Sequence, residues 1–350
     1  EDISLDATTY VCSLQICTNA KFNERAQKLH VEIVMRGLDG HSFIGSSLVD
    51  MYATCGLLVE AQKIFDLLPL RNVVTWTALI SGYAEYGLVV EALECIENML
   101  LNGILPNAIT YACAFKACSN ISALSKGQEL YIQITKEGFP YDINGSPTCI
   151  DEDVRVLTNT IIDMYGKCGN MEDAHRVFDE MLCSTAMSWN ALMTGYARCG
   201  ACEEVFHLFD EVTNQGIGPD CVMFLNVLSV CSHGGLVSIR ERCFKAMKKY
   251  CLLPTLEHYN CVIDLFARAG QLDEAIAMLE TMPFQPNLVT LSTLLGACQN
   301  WSNIDLGRIS FELMAGLDEK NATAFIVMFN IYAEAEMWEE AKELKRTLKI

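Results

Sequence analysis

Self-similarity constrains this chain more than anything else in it. Asp50-Met51-Tyr52 returns as Asp163-Met164-Tyr165, and both segments close alike, on Cys55-Gly56 and Cys168-Gly169. Trp76, Ala78, Leu79, Gly82 and Tyr83 return as Trp189, Ala191, Leu192, Gly195 and Tyr196. Both matches are offset by 113 residues, which spans three repeats. A period of this size marks a stacked array, in which each unit buries its apolar face only against its neighbours. The anchors divide the chain into 7–41, 42–72, 73–107, 108–154, 155–185, 186–220, 221–255, 256–287, 288–321 and 322–350. Most of these are 31 to 35 residues long; the fourth, at 47, carries an insertion.

Inside a repeat the pattern predicts two helices. The first is apolar-periodic, as in Leu79, Ile80 and Tyr83, and ends at a glycine in the fifteenth position: Gly56, Gly87, Gly169, Gly200, Gly235 and Gly270. The second carries an acid and then a small residue at positions nineteen and twenty: Glu60-Ala61, Glu91-Ala92, Asp173-Ala174, Glu204-Val205, Glu274-Ala275 and Glu340-Ala341. The small residue lets the helices approach, and the acid suits the positive end of the helix dipole. Pro106-Asn107, Pro219-Asp220 and Pro286-Asn287 stop the second helix before the next repeat. The expectation is an all-α solenoid with an extended concave groove, the first helices lining it and the second helices outside. Residues 140–153 lack periodicity and contain Pro, Gly and acids, which predicts an exposed loop.

Composition narrows the class. Apolar residues make up 51% of the 350, enough for a continuous core. No stretch reaches bilayer-spanning length without polar interruption, so a soluble protein is expected. The 17 cysteines sit in helical patterns rather than at the loop spacings of a disulfide scaffold, which suggests packed thiols in a reducing compartment. The chain opens on Glu1 rather than Met, so it reads as a fragment or processed product with any targeting peptide upstream.

Two repeat families have this length. The tetratricopeptide pattern wants a small eighth residue, whereas Val49, Ile80, Ile162, Met193 and Ile263 stand there. The Pro-Asn and Pro-Asp endings and the run Val73–Ile80 resemble the pentatricopeptide repeat instead. The rotation of lengths resembles the plant P-L-S subclass. Repeats 42–72, 155–185 and 256–287 look like S type, 73–107 and 186–220 like P type, and 7–41, 108–154 and 221–255 like L type. Leu294-Leu295-Gly296-Ala297-Cys298 with Asn303–Gly307, and Asn330–Ala333 with Trp338–Ala341, resemble the E1 and E2 repeats that follow, the second of them partial.

The resemblance implies a right-handed superhelix that binds single-stranded RNA, one base per repeat. The fifth and last residues of a repeat would read the base edge. On that alignment Ser46 with Asn72, and Thr77 with Asn107, prefer adenine. Asn159 with Thr185 takes a pyrimidine, Asn190 with Asp220 uracil, and Asn260 with Asn287 cytosine. The L repeats carry Val11, Ala112 and Leu225, whose side chains offer a base no hydrogen bond. The implied target is x-A-A-x-Y-U-x-C. Second residues Phe43, Val74, Val156, Met187 and Val222 would sandwich the bases, and Glu257 departs from that pattern. The bland alternative is that the Asn, Ser and Thr residues are helix N-caps, which favour the same residue types.

The resemblance further implies a mitochondrial or chloroplast factor, most specifically one that recognises sites of C-to-U RNA editing. Residues 288–350 would then recruit editing cofactor proteins or a deaminase in trans. No enzyme, cofactor or metal site is expected in this chain. The family's zinc deaminase carries His-x-Glu and Cys-x-x-Cys elements. His30-Val31-Glu32 and Cys199-Gly200-Ala201-Cys202 lie in different repeats 169 residues apart, no Pro precedes Cys199, and Cys199 takes the position of the packing residues Cys55 and Cys168. Cys17, Cys118, Cys231 and Cys298 likewise recur in register. Glu339, Glu340 and Glu343 beside Lys342, Lys345 and Arg346 are a solvated face.

The formal charge of −19 opposes RNA binding, which leans on phosphate contacts. Lys167, Arg198 and Arg268 share the thirteenth position and are the phosphate candidates. The rival readings are an acidic helical scaffold that docks a basic protein, and an RNA splicing or stability factor.

Overall fold

The computed structural model describes residues 7–20, 22–38, 40–136, 138, 152–181, 184–318 and 321–347. They form helices and no strands. The first of two compact units, residues 1–195, contains α1 Ala7–Ala20, α2 Asn23–Met35, α3 Ser42–Thr54, α4 Leu58–Leu67, α5 Val73–Glu85, α6 Val89–Leu101, α7 Ala108–Asn120, α8 Leu124–Lys136, α9 Glu152–Lys167, α10 Met171–Asp179 and most of α11 Ala186–Arg198. The second, residues 196–350, contains α12 Cys202–Asn214, α13 Cys221–Gly234, α14 Ile239–Lys249, α15 Leu256–Arg268, α16 Leu272–Thr281, α17 Leu288–Asn300, α18 Ile304–Leu317, α19 Ala322–Glu334 and α20 Trp338–Thr347. No described helix is long and apolar enough to cross a membrane.

Within the first unit the leading helices of successive pairs stack side by side, α1 on α3, α3 on α5, α5 on α7 and α7 on α9. In the second unit α13, α15, α17 and α19 do the same. The partner helices α2, α4, α6, α8 and α10, and α14, α16, α18 and α20, return against them. This is the all-α repeat arrangement of a solenoid, and its energetics follow from the sequence. Ala61, Ala92, Ala174, Val205, Ala275 and Ala341 are all buried, where a longer side chain would hold the paired helices apart. Their acidic neighbours occupy first turns, as Glu60 does in α4 and Glu274 in α16. Each large aromatic anchor is used twice. Phe65 meets Trp76 edge-on at 4.5 Å, and Phe178 meets Trp189 at 4.6 Å.

The turn between paired helices passes through the left-handed region at position fifteen. Gly56 has φ +79° and Gly270 +73°. Where the residue is not glycine the backbone still goes there: Ser122 at φ 54°, Ser302 at 53° and Glu336 at 60°. Between leading helices, contact is close enough to need small residues. A Cβ on Gly82 would lie 2.5 Å from Ala53 Cβ, and one on Gly166 would lie 3.0 Å from Gly195 Cα.

The predicted loop 140–153 falls outside the described residues up to 151. Glu152 and Asp153 are helical, contrary to that expectation, and form the first turn of α9. Their charges sit at the positive helix end, and Glu152 pairs with Arg155, so the segment gains by joining the helix.

Candidate functional site

The last residue of each reading repeat is the N-cap of the next leading helix. Asn72 Oδ1 accepts from Thr75 N at 3.0 Å, Asn107 Oδ1 from Thr110 N at 2.9 Å, Asp220 Oδ1 from Met223 N at 3.0 Å, and Asn287 Oδ1 from Thr290 N at 2.9 Å. Thr185 Oγ1 accepts from Ser188 N at 3.4 Å, and the Ser188 hydroxyl sits 3.1 Å from that of Thr185. The capping role is therefore real. It uses the side-chain oxygen and leaves the amide nitrogens of Asn72, Asn107 and Asn287 for other partners; Asn72 Nδ2 has one in Ser42 Oγ at 3.4 Å.

The fifth residues stand one turn into the leading helices. Thr77, Asn159, Asn190 and Asn260 are half-buried. Ser46 is more enclosed than a groove-facing residue need be, at 8% exposure, and bonds to the Ser42 carbonyl at 2.9 Å and the Thr75 hydroxyl at 2.8 Å. It nevertheless lines a cleft of about 420 Å³ that also exposes Thr77, Asn107 and Val74. This cleft crosses α1, α3, α5 and α7 within the first unit, so three of the expected base-reading residues and one expected sandwich residue share a wall. In the second unit Asn260 and Asn287 meet through Thr290, which lies 2.6 Å from Asn260 Oδ1 and 2.9 Å from Asn287 Oδ1. Asn190 belongs to the first unit and Asp220 to the second.

The second residues are the clearest feature. Phe43, Val74, Val156, Met187 and Val222 are 41% to 74% exposed. Single exposed apolar residues are ordinary. In the first unit exposed Val74 shares one cleft with Ser46, Thr77 and Asn107, which sets an apolar side chain beside small polar ones.

Models of the pentatricopeptide repeat match residues 46–73, 156–184, 187–217 and 257–284; a model of the PPR repeat family matches 71–120, and one of the pentatricopeptide repeat domain matches 207–269. Together they cover more than half of the chain. The chain belongs to the plant pentatricopeptide-repeat family. It is similar to the mitochondrial pentatricopeptide repeat-containing protein At3g13770 of Arabidopsis thaliana, at 36% identity over 96% of this chain and 52% of that protein. It is also similar to the chloroplastic CRR2 of Arabidopsis thaliana, at 33% identity over 97% of this chain and 51% of that protein. The chain thus spans about half the length of these curated relatives, and like them it is organellar. Among solved structures, maize PPR10 aligns with TM-score 0.56 and 22% identity over 99% of this chain and 54% of that one. The same protein in complex with an 18-nt psaJ RNA element aligns with TM-score 0.52 and 20% identity, over 99% of this chain and 64% of that one. These likenesses show the fold.

The cations of this pentatricopeptide-repeat chain depart from expectation. Lys167 is held by Asp163 at 2.5 Å and Arg268 by Asp264 at 2.8 Å, so both proposed phosphate ligands are already engaged by a carboxylate one turn earlier. Arg198 is exposed. The equivalent of Asp163 and Asp264 in repeat 42–72 is Asp50, where Thr54 replaces the base. Asp50 lines the cleft without a hydrogen-bond or ion-pair partner among the described residues. Burial, with Glu85 nearby, raises its pKa from the ordinary aspartate value.

The cysteines pack as the pattern implies at Cys17, Cys118, Cys231 and Cys298, all buried. Burial pushes the thiol of Cys118 up to about 11 and those of Cys231 and Cys298 up to about 12, which keeps them protonated and poor as ligands or nucleophiles. Cys199, which like Cys55 and Cys168 directly follows the last residue of its helix, differs from that expectation: it is exposed, while they are partly covered. His30 Nδ1 meets the Tyr52 hydroxyl at 3.0 Å, and Cys202 Sγ donates toward the Val230 carbonyl at 3.5 Å. Both contacts suit packed polar groups.

Sequence reasoning missed two kinds of residue. Ile109 and Val289 also stand at second positions, 46% and 61% exposed, and Ile109 lines the first-unit cleft. Their register alone would have found them. Thr75, Thr110 and Thr290, at the third position, are fully buried against the reading pairs. An Asn followed three residues later by Thr is a capping-box signal that was available.

Proposed function

We propose that this chain is the RNA-reading segment of an organelle RNA-processing factor, and that its specific task is site recognition for C-to-U editing. The observation that carries the reading is the cleft across α1, α3, α5 and α7, where exposed Val74 shares a wall with Ser46, Thr77 and Asn107. Such a pair of surfaces suits a nucleobase, whose face is apolar and whose edge hydrogen-bonds. The structure of maize PPR10 in complex with an RNA element supports it, as do the mitochondrial and chloroplastic relatives. In this reading the eight repeats over 7–287 are of the P-L-S kind. Residues 288–350 are E1 and partial E2 repeats that bring editing cofactor proteins or a deaminase in trans.

Base assignments follow the pairs: Ser46 with Asn72 and Thr77 with Asn107 for adenine, Asn159 with Thr185 for a pyrimidine, Asn190 with Asp220 for uracil, Asn260 with Asn287 for cytosine. Phe43, Val74, Val156, Met187 and Val222 flank the bases. Arg198 is the remaining phosphate candidate at position thirteen, and the bonds of Lys167 and Arg268 to carboxylates weaken the case for those two. With so few free cations, affinity is modest and falls with salt.

A gel-shift series tests this with x-A-A-x-Y-U-x-C RNA against a scrambled octamer. Asn260→Thr, with Asn287 in place, copies the Thr77 and Asn107 pair and is expected to move that base from cytosine to adenine. Equal binding of both octamers refutes the reading. It would favour the second one, a scaffold for a basic protein, which the net charge of −19 and the engaged Lys167 and Arg268 support.

A further inference from the structure

We infer that the buried third-position threonines, Thr75, Thr110 and Thr290, are positioning residues that set which hydrogen-bonding face each reading pair offers a base. This inference rests on the RNA reading above. Each threonine is fully buried and belongs to the repeat after the pair it touches. Its hydroxyl joins the two readers: Thr75 lies 2.8 Å from Ser46 Oγ and 3.0 Å from Asn72 Oδ1, and Thr110 lies 2.7 Å from Thr77 Oγ1 and 2.8 Å from Asn107 Oδ1. Thr290 bridges Asn260 and Asn287 in the same way.

A proton count gives the bridge a direction. Thr110 has one hydroxyl proton and two lone pairs. Asn107 Oδ1 has no proton, so the close contact between it and Thr110 Oγ1 is attractive only if Thr110 donates. Thr110 Oγ1 then accepts from the Thr77 hydroxyl and, at 3.4 Å, from Asn107 N. The proton of Thr77 is therefore committed inward, and its lone pairs are what the cleft sees. Asn107 Oδ1 is committed to Thr110 N and Oγ1, so Asn107 presents its Nδ2 donors. An acceptor beside a donor matches adenine, whose N6 amino group donates and whose N1 accepts. It mismatches guanine, whose O6 accepts and whose N1 donates. Ser46 and Asn72 repeat this arrangement, since the Ser46 proton goes to Thr75 or to the Ser42 carbonyl.

Thr290 works differently because both of its neighbours are amides. Asn287 Oδ1 is fixed by Thr290 N. The single Thr290 proton can go to Asn260, which then shows Nδ2, or to Asn287, in which case the Asn260 amide turns and shows Oδ1. The first form suits the O4 acceptor of uracil and the second the N4 donor of cytosine. This repeat thus accepts pyrimidines and separates cytosine from uracil less sharply than the Thr110 repeat separates adenine from guanine. Position three is Met223 after Asp220, and Ser188, which bonds Thr185, after Thr185, so no threonine stands at either place.

The test is Thr110→Val, which keeps the shape and removes the hydroxyl, read as the affinity ratio for adenine over guanine at the second A of x-A-A-x-Y-U-x-C. The ratio is expected to fall roughly tenfold, the scale of one lost hydrogen-bond discrimination. Ratios at the other bases stay unchanged, which general unfolding would not allow, and Thr110→Ser restores the wild-type ratio. Thr75→Val does the same at the first A only. An unchanged ratio in both valine variants, with the wild-type chain still preferring its octamer, overturns the inference and leaves the RNA reading standing. A wild-type chain that does not distinguish the octamer from its scramble overturns the RNA reading itself, and this inference with it.

Discussion

On the proposed reading Asn107 both caps α7 and offers its amide to a base, and two substitutions separate the two roles. Asn107→Ala removes the cap of α7, a loss of about 1 kcal/mol in typical helices. It also takes the acceptor from the Thr110 hydroxyl, which has no access to water; an unsatisfied buried group costs about 1–3 kcal/mol. Thr110 can turn its proton to Thr77 Oγ1, 2.7 Å away, so the combined cost is nearer the low end, at about 2 kcal/mol. Asn107→Asp keeps an oxygen for Thr110 N and adds a charge at the favourable helix end, so stability changes little. It replaces the amide donor with a second acceptor, which suits the N1 proton of guanine rather than the bare N1 of adenine. Amide hydrogen exchange across residues 108–120 measures the first effect locally, and a panel of four RNAs varied at the second A measures the other. Asn107→Ala should speed exchange in α7 and weaken all binding. Asn107→Asp should leave exchange alone and turn an adenine preference into a guanine preference. If the Asp variant keeps the wild-type preference, Asn107 is a cap and nothing more. If the Ala variant exchanges normally, the capping energetics are wrong.

Asp50→Asn is expected to stabilise the chain at neutral pH. Burial and Glu85 raise the carboxyl's pKa, so its ionised form is penalised on folding; that stability is present below the ordinary aspartate range and lost as pH rises through the folded pKa. Denaturation should show the advantage at neutral pH and none at about pH 3, and RNA affinity at low salt should rise roughly severalfold as a charge leaves the cleft. Gly82→Ala puts a methyl 2.5 Å from Ala53 Cβ and should cost about 1–2 kcal/mol after the helix-propensity gain, with Ala53→Gly restoring stability in the double variant. Glu336→Gly relieves a left-handed backbone at φ 60° and should add about 0.5–1 kcal/mol in thermal or chemical melts; a loss would show that the Glu336 side chain holds something.

The array was legible because its constraints are local and repeated. A turn that must go left-handed selects glycine, and a helix crossing that must be tight selects a small residue, so the glycine of Gly56 recurs six times and the alanine of Ala61 five, with Val205 in the sixth place. The apolar second positions were legible only through family resemblance, since exposure cannot be told from burial at one Val. The pairing of the cations was itself legible: Asp163 with Lys167 and Asp264 with Arg268 are spaced i, i+4, the spacing at which opposite charges pair along a helix. The threonine bridges were illegible because they join residues about thirty positions apart. Only the stacking of one leading helix on the next brings Thr110 to Thr77.

That stacking also explains why capping and base reading need not compete. An N-cap asparagine serves its helix with Oδ1 alone, and its two amide protons point elsewhere. The residue that ends one repeat and starts the next helix must lie at the seam between leading helices, where the fifth residue of its own repeat also lies. The helix thus fixes the orientation of the asparagine, and a fixed amide is the condition for telling one base edge from another. A chain with a formal charge of −19 gains little from phosphate contacts. Whatever selectivity it has must come from such pre-oriented groups, whose ordering was completed on folding rather than on binding.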